Sequence, residues 1–284
     1  MKSKIKNFAF IFIAILGLAS CSSDNENPIP EPDELVGLTQ FQVITNDTHV
    51  IEFYNQKGSL EQGYNDITLR IKDKATNAFV KNATVSWIPR MHMTMMTHSC
   101  PYSLVQKVAN DGTTFNGYIV FQMAQNGSEF WDLQLTYTIN DKSYSEVVKL
   151  NVPASAKQRV TSFTGADKVK YVIAAVAPSH PKVAVNDFSV MVFKMKDMMS
   201  FPVVDGYKVK IDPRMPSMGN HGSPNNVDLT QVAAGNMYDG KLSLTMSGYW
   251  RINMQLLNAS QEVLKGEAIT TEVPESSLYL ELEF

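Results

Sequence analysis

The sequence predicts an all-β protein, two tandem β-sandwich domains behind a leader and a flexible tether. Three observations carry that expectation. Apolar and polar residues alternate at period two from Phe41 onward, Gly/Asn/Asp turn signals separate the alternating runs, and one ordered set of motifs occurs twice. The length of 284 residues has room for two domains of ordinary size. A hydrophobic fraction of 44% excludes a wholly disordered chain. Lys+Arg 25 against Asp+Glu 28 lacks the basic excess of a nucleic-acid binder, so no nucleic-acid partner is expected. Two cysteines cannot build a disulfide scaffold, and 15 methionines require an explanation.

Residues 1–20 read as an export signal. Lys2, Lys4 and Lys6 precede an apolar run from Phe8 to Ala19. That run is shorter than the ~20 residues of a membrane-spanning helix and suits a signal-peptide core. It ends Leu18-Ala19-Ser20-Cys21, which resembles a bacterial lipobox, so Cys21 is the expected lipidation site and the lipid the expected membrane attachment. Residues 21–36 are rich in Ser, Asp, Asn, Glu and Pro and read as a disordered tether. Loss of the leader removes three lysines and no acid, leaving 22 basic against 28 acidic residues, a charge of −6. Cys100 is then the one remaining thiol. The expected location is the outer membrane, on its periplasmic face or at the cell surface.

Residues 37–153 form the first expected domain. Ile67-Thr68-Leu69-Arg70-Ile71-Lys72 and Trp131-Asp132-Leu133-Gln134-Leu135-Thr136-Tyr137 alternate as half-buried strands do. Asn110-Asp111-Gly112, Asn126-Gly127 and Asn140-Asp141 mark turns between such runs. Residues 158–284 form the second, with strands at Leu242–Met246 and Trp250–Leu256 and turns expected at Asp205-Gly206 and Asp239-Gly240. No amphipathic helix is expected, and short strands at this spacing indicate sandwiches. Trp87, Trp131 and Trp250 are expected to anchor the cores, and His49 and His180 to lie at the surface.

The repeat is explicit. Pro89-Arg90-Met91 returns as Pro213-Arg214-Met215, His98…Pro101 as His221…Pro224, Gly117 as Gly240, and the Trp131 strand as the Trp250 strand. The offset falls from 124 to 119, as it must if loops alone differ.

Methionine and histidine concentrate at equivalent places in the two copies. In Met91-His92-Met93-Thr94-Met95-Met96-Thr97-His98-Ser99-Cys100, an extended chain would point Met91, Met93 and Met95 to one face. In Met215-Pro216-Ser217-Met218-Gly219-Asn220-His221-Gly222, the Pro and Gly positions suggest a curved loop that could converge Met215, Met218 and His221. Core packing is the alternative for both segments, since Met also fills irregular gaps. Thioether sulfur is soft, uncharged and free of proton competition, so it selects Cu(I), and imidazole also suits copper. Zinc would ask for a closed Cys/His set and calcium for clustered carboxylates, and neither segment supplies these. Met191, Met195, Met198 and Met199 form a third group, read as core or as the lip of a pocket.

Residues 185–260, through Pro213-Arg214-Met215-Pro216-Ser217-Met218-Gly219-Asn220-His221-Gly222, Gly240-Lys241-Leu242 and Gly248-Tyr249-Trp250-Arg251-Ile252, resemble a YtkA-like domain, related to FixH-like proteins. The resemblance implies an immunoglobulin-like sandwich, often lipid- or membrane-anchored and associated with copper handling. It implies that Met215, Met218 and His221 carry a metal site. The analogous positions in the first copy are Met91, Met95 or Met96, and His98, with His92 or Cys100 open as further ligands.

No nucleophile elbow, phosphate loop or zincin helix occurs, so an enzyme is not expected. The leading expectation is an extracytoplasmic copper-binding lipoprotein, a Cu(I) carrier, scavenger or metallation partner of a copper-donating or copper-accepting membrane protein. The alternative is a metal-free surface lipoprotein that binds a glycan or a protein through its loops.

Overall fold

The computed structural model describes residues 34–110 and 112–284. The leader, Cys21 and residues 21–33 of the expected tether lie outside them. The described chain is built from antiparallel sheets, and its one helical element is a single 3-10 turn at Pro216–Met218. The all-β expectation is therefore met.

The first half comprises β1 (Thr39–Thr45), β2 (His49–Asn55), β3 (Gly63–Asp73), β4 (Thr84–His92), β5 (Thr97–His98), β6 (Gln106–Lys107), β7 (Thr114–Phe121), β8 (Phe130–Ile139) and β9 (Lys142–Leu150). They make two sheets, β1-β2-β3-β7-β6 and β5-β4-β8-β9. The second half comprises β10 (Val160–Thr164), β11 (Lys170–Ala177), β12 (Val185–Lys194), β13 (Lys208–Met215), β14 (His221–Gly222), β15 (Val227–Gln231), β16 (Tyr238–Ser243), β17 (Tyr249–Leu257), β18 (Val263–Lys265) and β19 (Tyr279–Glu283). Their order is β10-β11-β12-β16-β15-β13-β17-β18, with β14 on β13 and β19 on β17.

The orders correspond strand for strand. β1-β2-β3-β7-β6 matches β10-β11-β12-β16-β15, and β5-β4-β8-β9 matches β14-β13-β17-β19. Two differences remain: β18, on β17, has no counterpart, and β15 hydrogen-bonds to β13 as well as β16 and so joins both layers of the second half into one continuous sheet.

Alternation explains the cores. Trp131, Leu133, Leu135 and Tyr137 on β8 all turn inward and are buried, facing Ile67, Leu69 and Ile71 of β3 in one cluster. Trp250, Ile252, Met254 and Leu256 on β17 do the same in the second half. Both core tryptophans satisfy their indole N–H in the same way: Trp131 donates to the Met123 carbonyl and Trp250 to the Met246 carbonyl, each at 3.0 Å.

A third core joins the halves. Val120 on β7, with Tyr64 and Tyr118 beside it, packs against Val160, Val172, Ala174, Met191 and Phe193. Residues Glu34–Phe284 accordingly form one compact unit.

Three sequence expectations are corrected. Residues 34–36, assigned to the disordered tether, form a turn, in which Leu38 N–H donates to the Leu35 carbonyl at 2.9 Å. Glu34 anchors that turn by accepting from Thr113 N–H at 2.9 and 3.0 Å and from the Thr113 hydroxyl at 3.0 Å. Asp239-Gly240 is not a turn but lies inside β16. His49 is buried rather than at the surface, its Nδ1 lying 3.1 Å from the Tyr137 hydroxyl.

Candidate functional site: a methionine-lined cavity

The methionine segment of the first half folds as a tight hairpin. β4 ends at His92, and Met93 N–H donates to the Met96 carbonyl at 2.9 Å, closing a turn that carries Met95. β5 then returns His98 to the position opposite Met91. The second half repeats the pairing, with His221 opposite Met215, but its turn is the 3-10 segment followed by Gly219 at φ 65° and Asn220 at φ 60°.

The expected ligands separate on this framework. Met91 is fully buried in the first core, and Met215, 4% exposed, is buried in the second, with its methyl carbon under Gly248. Met218 and His221 are exposed, so the structure does not gather Met215, Met218 and His221 round one point. Met95 is 88% exposed at the hairpin tip. Cys100 is buried, and burial pushes its thiol pKa well above the ordinary value, so it stays protonated and unsuited to ligation. His92 is engaged elsewhere: Nε2 lies 2.6 Å from Asp132 Oδ2, and the ring stacks on Phe130 at 4.8 Å. The same carboxylate accepts from Arg90 Nε at 2.9 Å and Nη2 at 3.2 Å.

Two of the expected residues do reach a common space. Met96 and His98 line a cavity of about 550 Å³ together with Met93, Met123, Met195 and Met198. Each comes from a different local cause. Met93 and Met96 flank the hairpin turn, and Met123 follows β7, where its carbonyl is already fixed by Trp131. Met195 and Met198 follow β12, where Ser99 N–H donates to the Met198 carbonyl at 2.8 Å and locks this segment to the hairpin of the first half. Phe163, Tyr171, Val172 and Phe201 complete a mostly apolar wall. One polar atom stands out, because Gln122 Oε1 is buried without a partner among the described residues.

His98 is held by one ring nitrogen. Its Nδ1 lies 2.7 Å from the Ser99 carbonyl, which can only accept, so Nδ1 carries the hydrogen. In the neutral ring the lone pair is then on Nε2. A backbone carbonyl holding one imidazole nitrogen so that the other can bind is the usual support of a metal-ligating histidine. The ring is also held edge-on to Trp131 at 5.8 Å.

Among the described residues, no three His, Cys, Asp or Glu side chains group so as to hold a metal ion. What lines the cavity is five methionine side chains and one imidazole. Sequence reasoning named neither Met93 nor Met123 as a ligand and left Met195 and Met198 as core or pocket lip. The signal available for them was the methionine count itself. Comparison with protein-family models and with curated proteins finds no match for this chain.

Proposed function

We propose that the protein is an extracytoplasmic lipoprotein that binds copper as Cu(I) in the methionine-lined cavity and exchanges it with a membrane-bound donor or acceptor. The observation that supports this reading is the gathering of five methionines and His98 around one cavity, with Nε2 of His98 left to bind. Soft, neutral sulfur prefers a soft monovalent ion, and an apolar wall offers harder ions few oxygen ligands. Exchangeable thioether ligands allow release to a partner by stepwise ligand substitution, so the role is carriage rather than catalysis. The lipobox at Cys21, the immunoglobulin-like reading of the two halves and the resemblance to YtkA-like domains point the same way. The ion is cargo, held by His98 with sulfurs drawn from Met93, Met96, Met123, Met195 and Met198. This places one site at the junction of the halves instead of one in each.

Titration with Cu(I) against a competing chelator tests the proposal. The native protein is expected to take up one equivalent. His98→Gln and the pair Met96→Ala with Met198→Ala are expected to weaken binding at least tenfold, whereas Met218→Ala and His221→Ala leave it unchanged. Equal affinity in the cavity variants and the native protein would defeat the reading. Absence of uptake by the native protein would favour a metal-free ligand in the same apolar space.

A further inference from the structure

A second cleft, of about 630 Å³, opens between the β2–β3 end of the first half and the chain entering β10. Its volume is in the range that holds small ligands, roughly 300–1,000 Å³. Unlike the methionine cavity, it is lined by charged and amide side chains.

The pairing of those charges leaves two poles over. Lys57 pairs with Glu61, and Lys157 with Glu283. Glu281 is taken up by the Gln158 backbone N–H and the Tyr249 hydroxyl, each at 2.8 Å. The Arg159 guanidinium has no carboxylate partner among the described residues, and its hydrogen bond there is from Nη2 to the Pro178 carbonyl at 3.3 Å. A guanidinium carries five N–H donors, so most of its capacity is unspent. Among the described residues Asp66 pairs with no cation, and its two oxygens each accept from the Asn116 side-chain amide at a long 3.3 Å.

Arg159 is rooted against the backbone, its Cβ about 3.4 Å from where a Cβ would stand on Gly63. Burial holds its pKa below the ordinary value, against the field of Glu61, which raises it. A partly desolvated guanidinium without a carboxylate is a poised receptor for one, because planar bidentate pairing is what arginine offers. A plain anion is the poorer match, since three cations and four carboxylates line the cleft. A plain cation is the poorer match because Arg159 would repel it.

We propose that this cleft binds a zwitterionic ligand of the amino-acid or short-peptide class, its carboxylate on the Arg159 guanidinium and its ammonium on Asp66. Tyr64, which lines the same cleft, gives the ligand an aromatic face between the polar side chains. Binding is non-covalent, and the site is separate from the methionine cavity, so it does not depend on copper.

Calorimetric titration of the full-length protein with tri-alanine, N-acetyl-tri-alanine and tri-alanine amide tests this. Tri-alanine is expected to bind, and each blocked form to bind at least tenfold more weakly. Arg159→Gln is expected to erase the penalty for the amide while keeping that for the acetyl form, and Asp66→Asn to do the reverse. Asp66 is exposed, so its variant is not expected to disturb folding. If Arg159→Gln does not fold, the comparison of blocked and free peptides on the native protein decides alone. Equal binding of all three peptides, or no binding of tri-alanine, would overturn the proposal.

Discussion

His49 shows how a single buried side chain sets the response to pH. It sits between Tyr137 and Tyr144, edge-on to both rings, with its Nδ1 near the Thr48 and Tyr137 hydroxyls. Burial lowers its pKa, Asp73 opposes that shift, and Lys142 reinforces it. The unfolded chain takes a proton near pH 6.5, where the folded chain still refuses it. The stabilisation is therefore complete above about pH 6.5 and declines as pH falls toward the lower folded value. Thermal unfolding measured from pH 8 to pH 5 is expected to show the native melting temperature falling from about pH 6.5. His49→Gln, which cannot titrate, is expected to start lower at pH 8 and to stay flat through that window. Parallel curves would contradict the assignment. The sequence concealed this residue because a histidine isolated from any motif reads as exposed. Its burial comes from β8 and β9, about ninety residues away along the chain.

At the scale of elements, similar dipeptides serve different physical needs. Asn140-Asp141 joins β8 to β9 with φ of 49° and 62°, the two positive angles of a tight hairpin turn. Asp239-Gly240 carries the same signal but answers to space. A Cβ on Gly240 would lie 2.3 Å from the Val227 carbonyl oxygen and 3.0 Å from that of Asp228, so the glycine lets β15 approach β16. Backbone atoms cannot swing aside, and overpacking of this kind costs about 1–3 kcal/mol. Gly240→Ala is expected to lose that much in urea denaturation and to loosen β15, the strand that closes the second half. Gly222→Ala is the contrast, since its nearest neighbour is the end of the Arg214 side chain at 3.1 Å, which can move, and the expected loss is well under 1 kcal/mol. Similar losses in both variants would refute the steric account. Period-two patterning thus revealed that strands exist and which face is core. It did not reveal that β4 stops at His92, and that stop decides which methionines turn inward. Met91 remains on the strand and enters the core, while Met93 and Met96 leave it and reach the cavity.

In the whole molecule, the halves are coupled by the third core and share the methionine cavity. The chain enters the fold at Glu34, beside the start of β7, whereas the cavity lies past the other end of that strand. Eight extended residues separate them, roughly 26 Å. The sequence disclosed the repeat but neither hairpin, and a cavity built from residues 93–98, 123 and 195–201 depends on how one half docks on the other, which no local pattern encodes. Phe193 tests that docking. It is buried beside Val120 and Val172, with its ring 6.2 Å from Tyr118. Its truncation to alanine should cost about 3–5 kcal/mol. Because its contacts with Val120 and Tyr118 lie between the halves, calorimetry is expected to show one cooperative transition for the native protein and two for Phe193→Ala. If the proposed copper reading holds, Cu(I) bound by residues from both halves favours the docked form, by about 2.7 kcal/mol at a hundredfold excess over its dissociation constant. Added Cu(I) should accordingly raise the native melting temperature and draw the two transitions of Phe193→Ala back toward one. Two transitions in the native protein would show that the third core does not couple the halves. A Phe193→Ala profile insensitive to Cu(I) would show instead that the ion does not bridge them.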